Sequence, residues 1–127
     1  MRNPSELAVG VDIVEIHRIS DAVAEFDMGF LKRIYTDREI SNYRNSIQSL
    51  AARFAAKEAV MKALGNGIDG LSLRDIEILC DSEGSPHITL YGKSREKCLQ
   101  LGIKCFAVSL SHCDKYAVAF VAGEAHN

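Results

Sequence analysis

Two spacings of apolar residues divide the first third of the chain. Over residues 7–13 the pattern alternates, with Leu7, Val9, Val11 and Ile13 on one side and Ala8, Gly10 and Asp12 on the other. That is the two-residue repeat of a strand, and the segment is rich in β-branched residues. From Ile13 the repeat lengthens to Ile16, Ile19, Val23 and Phe26, a helical spacing that places Asp12 where strand gives way to helix. A second helical stretch is predicted over 30–35, after Gly29. Thr36-Asp37-Arg38-Glu39 then has the form of a capping box, Thr36 as N-cap and Glu39 at the third helical position, starting a helix that runs toward Tyr43. Residues 50–64 form a long helix that is apolar almost all round and stops at Gly65-Asn66-Gly67.

The second half changes character. Ile76, Ile78 and Cys80 alternate with Asp75, Glu77 and Leu79, the pattern of a half-buried strand. A turn over 81–86 leads to a hairpin partner at 87–91, and 93–101 is a short amphipathic helix halted by Gly102. Two last strands, 105–111 and 116–122, flank the polar connection His112-Cys113-Asp114-Lys115. Helices gathered early and antiparallel strands gathered late predict an α+β fold, helices packed on an antiparallel sheet.

Length and composition add boundaries to that picture. The 127 residues suit a single small domain over 1–127, with residues 1–6 expected to be a flexible lead-in. A formal charge of −2 gives no bulk electrostatic case for nucleic acid or an anionic membrane. The apolar run near the N-terminus is too short for a signal or a spanning segment, so cytoplasmic residence is expected. Cys80, Cys98, Cys105 and Cys113 lack metal-type spacing and are expected reduced and mostly buried.

The chemistry concentrates at a few points. Arg53, Lys57, Glu58 and Lys62 are charged residues on a helix otherwise built of Ala, Leu, Val, Phe and Met, and buried charges need partners. Glu58 and Lys62 share one face, Arg53 and Lys57 another. The set suits a metal ion with an anionic ligand, and equally an ordinary Glu-to-Lys pair along the helix. Asp12 has two readings as well: N-cap of the first helix, with Glu15 completing a capping box, or metal ligand at a strand end where Gly10 leaves room. His112 ends Val108-Ser109-Leu110-Ser111-His112, whose serine hydroxyls, sharing a strand face, suit phosphate oxygens or simply fill space. Gly65-Asn66-Gly67-Ile68-Asp69-Gly70 follows a helix rather than opening one, so it is a turn or lid and not a P-loop.

Taken in order, Gly10-Val11-Asp12, Phe54-Ala55-Ala56-Lys57-Glu58-Ala59 and Val108-Ser109-Leu110-Ser111-His112 resemble the small holo-acyl-carrier-protein synthases of the 4′-phosphopantetheinyl transferase superfamily. The resemblance runs over nearly the whole chain and takes in 30–36 with Glu39, 62–67, and Asp75-Ile76-Glu77 before Gly84-Ser85-Pro86. It implies transfer of 4′-phosphopantetheine from coenzyme A to a serine of apo acyl carrier protein, with release of 3′,5′-ADP. It implies Asp12 and Glu58 as ligands of Mg²⁺, and Lys62 as a third catalytic group beside the phosphates. Arg53, Lys62, Gly65 and His112 are implied as contacts to the coenzyme. The serine proton goes either to Glu58 or to a metal-bound water oriented by Asp12. The resemblance further implies a homotrimer with its sites at subunit boundaries. The carrier is acidic, and Arg18, Lys32, Arg33 and Arg38 would meet it, although Asp21, Glu25 and Asp27 dilute that surface. A non-catalytic module that binds coenzyme A or a nucleotide is the competing reading.

Overall fold

The computed structural model describes residues 6–65 and 70–125. Strand β1 (Glu6–Glu15) leads into α1 (Ile16–Phe26), α2 (Met28–Ile34), α3 (Asp37–Tyr43) and the long α4 (Ile47–Leu64). A single 3₁₀ turn (Leu73–Asp75) precedes β2 (Ile76–Cys80) and β3 (Pro86–Leu90). Helix α5 (Gly92–Gln100), β4 (Ala107–His112) and β5 (Tyr116–Ala125) complete the chain. The α+β architecture of helices on antiparallel strands holds, with the strands divided between two sheets, β1-β5-β4 and β2-β3. First and last strands lie side by side along their full length, from Glu6↔Ala125 to Glu15↔Tyr116. Of the lead-in expected to be flexible, only Glu6 falls among the described residues, and it begins β1.

Three local expectations are corrected. The first strand continues to Glu15, so Asp12 sits inside it, paired with Ala119, and does not cap α1. The N-cap of α1 is Glu15, whose side chain makes no capping bond. Strand β2 is not half-buried, because Glu77 is buried together with Ile76 and Ile78. Its carboxylate accepts the hydroxyls of Thr36 at 2.7 Å and Tyr91 at 3.1 Å, which satisfies a charge that burial would otherwise punish. Among the cysteines only Cys98 is buried, while Cys80, Cys105 and Cys113 are exposed; all four are free thiols. The capping box at Thr36 is present in full, with Glu39 N–H donating to Thr36 Oγ1 and Thr36 N–H to Glu39 Oε1.

Helix α4 is the centre of the molecule, and its composition explains why. Ala51, Ala52, Ala55, Ala56, Ala59 and Ala63 are all buried, and small residues on the sheet answer them: Ala8 and Gly10 on β1, Ala117 and Ala119 on β5. Small against small lets the helix axis approach the sheet closely. Gly10 is the tightest point of this contact. A Cβ there would overlap the carbonyl oxygen of Ala59, lie 2.8 Å from its carbonyl carbon and 3.2 Å from Ala63 N. The opposite face of the same sheet carries the large apolar residues and, among the described residues, no helix: Leu7 is 61% exposed, Val11 54%, Ile13 63% and Phe120 48%.

Candidate active site

The charges of α4 divide by direction. Lys57 is fully buried, its ammonium 2.7 Å from Glu39 Oε1, and it donates to Leu73 O at 3.0 Å and to Ile76 O. Glu39 Oε2 accepts the N–H of Ile78 at 2.9 Å, so one buried ion pair ties α3, α4 and β2 together. Burial lowers the Lys57 ammonium from its usual proton affinity, and the Glu39 charge opposes that shift.

Arg53 points the same way. Its Nε donates to Ile78 O at 2.9 Å, Nη1 to Ser49 O at 3.3 Å, and its guanidinium lies 3.4 Å from the centroid of the Tyr43 ring. The coenzyme contact expected at Arg53 falls on a side chain turned toward β2. The side chain is buried, and its Nε, Nη1 and Nη2 donate to Ile78 O, Ser49 O and Cys80 Sγ on β2 and α4.

On the remaining side of α4, Phe54, Glu58 and Lys62 follow one another at four-residue spacing, outside the buried set. Here β1 delivers Asp12. The side chain of Asp12 is on the helix-facing side of the sheet, in step with Ala8 and Gly10, and is 16% exposed. Lys62 Nζ reaches it, 2.8 Å from Oδ1 and 3.1 Å from Val11 O. Thus Lys62 pairs with a strand residue fifty positions away and not with Glu58, as the intrahelical alternative required. Glu58 holds its proton more firmly than an ordinary glutamate, through partial burial and then the Asp12 charge, with Lys62 pulling the other way. Two carboxylates and one ammonium therefore share a local field whose formal charges sum to −1.

That donor set fits a hard divalent cation. Mg²⁺ takes one or two carboxylates and completes its octahedron with water and substrate phosphates. Among the described residues no group of three or more His, Cys, Asp and Glu side chains converges, so a closed protein cage of the zinc type is not built here. A cavity of about 610 Å³ is walled by Ile13, Ile19, Phe30, Phe54 and Tyr116 with Glu15 and Arg18 on its lining, and neither Asp12 nor Glu58 lines it.

The other predicted site residues lie farther off. Gly65 is the C-cap of α4 with φ 110, a conformation that suits glycine, and it opens the segment 66–69, which lies outside the described residues. His112 ends β4 and pairs with Ala117, so it stands two strands from β1, on the order of 10 Å across the sheet. Ser109 pairs with Phe120 and Ser111 with Val118, which puts both serines on the face of the sheet away from Asp12. Within this chain, then, Asp12, Glu58 and Lys62 converge, and His112 and the serines do not. Sequence reasoning missed the Lys57–Glu39 pair. Its only signal was that a lysine on an apolar helix needs a partner.

Comparison with known proteins places this geometry in a class. Residues 8–121 match the family model of the 4′-phosphopantetheinyl transferase superfamily, and the chain belongs to that family. Its relatives are more particular. A holo-[acyl-carrier-protein] synthase of Dehalococcoides mccartyi is 48% identical over 118 residues, 93% of this chain and 98% of the relative. The holo-[acyl-carrier-protein] synthase of Herpetosiphon aurantiacus is 44% identical over 124 residues, 92% of this chain and 98% of its own. The Helicobacter pylori holo-[acyl-carrier-protein] synthase, solved in complex with coenzyme A, superposes with a TM-score of 0.81 at 40% identity, covering 91% of this chain and 98% of that one. A Bacillus anthracis synthase in complex with coenzyme A (3′,5′-ADP) gives 0.75 at 31% identity, covering 93% and 96%.

Proposed function

We propose that this chain is a holo-[acyl-carrier-protein] synthase, moving 4′-phosphopantetheine from coenzyme A to a serine hydroxyl of apo acyl carrier protein. One observation carries the reading. Asp12 from the first strand meets Lys62, and by its charge Glu58, on α4, a cradle matched to a divalent cation and a diphosphate. Asp12 and Glu58 would hold Mg²⁺, which would supply charge neutralisation to the diphosphate as its P–O bond breaks. Lys62 adds a point charge for the same phosphate oxygens. The serine oxygen forms the new bond to phosphorus, and 3′,5′-ADP leaves with the electron pair of the broken one. The serine proton would pass to Glu58 or to a water oriented by Asp12. Alignment and electrostatics account for catalysis of this kind, since little covalent chemistry falls to the protein.

The protein acts as a homotrimer in this reading. The exposed apolar face of β1 and β5, Leu7, Val9, Val11, Ile13 and Phe120, supports it, because large apolar patches on a lone domain mark interaction sites. Subunit contact also offers a way for the distant His112, Ser109 and Ser111 to reach a coenzyme seated at Asp12 of a neighbour. The acidic carrier would meet the exposed Arg18, Lys32, Arg33 and Arg38. Among the described residues no helix is long and apolar enough to cross a membrane, and the cytoplasm, where carrier and coenzyme are used, is the proposed location.

Incubation with coenzyme A, Mg²⁺ and an apo carrier, followed by mass spectrometry of the carrier, tests the activity. The expected result is the gain of one phosphopantetheine, abolished by chelation or by Glu58→Ala. Retention of coenzyme A with an unchanged carrier mass would establish the non-catalytic module instead.

A further inference from the structure

Lys62 reaches into the carboxylate cradle through Asp12. Its ammonium is 2.8 Å from Asp12 Oδ1 and is steadied by Val11 O at 3.1 Å, while its own side chain remains half exposed and free to swing. A dication bound to the same oxygen at about 2.1 Å is disfavoured by an ammonium in that position, because the two positive charges repel at a few ångströms. We infer that Lys62 is an exchangeable internal counter-ion: it holds Asp12 until a diphosphate draws the ammonium away and the metal takes the vacated oxygen. Metal and coenzyme then strengthen each other's binding, and Lys62 is the coupling element. By linkage the effect is reciprocal, each ligand raising the affinity for the other by the same factor. Chain geometry supports the swing, since Lys62 is in the last turn of α4, next to Gly65, and carries no other bond within the described residues.

This inference rests on the metal-and-diphosphate reading of the site, and the experiment separates the two. Mn²⁺ serves as a spin probe, titrated by electron paramagnetic resonance into the whole protein with and without saturating coenzyme A. The comparison uses wild type, Lys62→Met, Arg44→Met and Asp12→Asn. For Lys62→Met, Mn²⁺ alone is expected to bind about tenfold more tightly than to wild type, within the range usual for site coupling. The ratio of its affinities with and without coenzyme A falls toward one. Arg44→Met, at the exposed C-cap of α3, removes an equal charge away from the site and leaves that ratio at the wild-type value. If Lys62→Met strengthens Mn²⁺ binding equally with and without coenzyme A, or not at all, the exchange is refuted while the metal site stands. If Mn²⁺ binding is weak throughout and indifferent to Asp12→Asn, the site reading falls and the exchange with it. Melting curves confirm that each variant is folded, and Lys62→Arg, which keeps the cation, retains the wild-type ratio.

Discussion

Gly10→Ala is a one-methyl perturbation with a calculable reach. The added carbon would lie 2.8 Å from the carbonyl carbon of Ala59 and closer still to its oxygen, where about 3.4 Å is the comfortable limit. Both obstacles are backbone, so no side chain can turn aside. Strand β1 and helix α4 must part by on the order of 1 Å. Overpacking of this kind costs about 1–3 kcal/mol. The same displacement carries Asp12, two residues along the strand, away from Glu58 and Lys62. A misplacement of about 1 Å at a reacting centre costs on the order of 100-fold in rate. The assay pairs denaturant unfolding with steady-state transfer at increasing Mg²⁺. The variant should remain folded, lose about 1–3 kcal/mol, and show a fall in kcat with a higher Mg²⁺ requirement. Full activity and unchanged stability would mean that the contact between Gly10 and Ala59 neither sets the helix height nor positions the carboxylate.

Further outcomes follow from the buried groups. Lys57→Met should destabilise by about 3–5 kcal/mol in urea, because it leaves Glu39 as a buried charge without its cation. Arg53→Met should lower stability but leave coenzyme A affinity of the folded protein at the wild-type value by calorimetry, since its donors serve β2 and α4. Tyr35 is buried with its hydroxyl 2.6 Å from Leu50 O, and burial raises its proton affinity well above the usual phenol. A raised folded value means stability present below pH ~10 and lost above it, at up to about 1.4 kcal/mol per pH unit. Tyr35→Phe should flatten that alkaline loss, although the lowered Lys57, with the opposite sign over the pH range below its unfolded value near 10.5, opposes it in both proteins. Sedimentation of the wild type should give a three-chain particle, and Val11→Lys on the exposed sheet face should shift it toward monomer.

Much of this molecule is written locally. The Thr36 capping box, the C-terminal end of α4, the β2–β3 hairpin and the alternation of β1 follow from nearest-neighbour chemistry: a hydroxyl that satisfies an orphan N–H, glycine at a helix end, side chains alternating across a pleat. The ordered motifs around Asp12, Glu58 and Lys62 were legible for the same reason, because residue type and order survive in one dimension. Partnership was not. Nothing local states that β1 pairs with β5, that Lys62 takes Asp12 in preference to Glu58, or that Lys57 and Arg53 turn inward to β2 while Glu58 turns out. Nor does the alternation in β1 say which side is covered. Only the packed structure shows that the small residues face α4 and the large ones face outward, since that choice depends on how closely a helix of alanines can approach a sheet. Periodicity determines faces and ends; long-range contact, bought with loop-closure entropy, decides who meets whom.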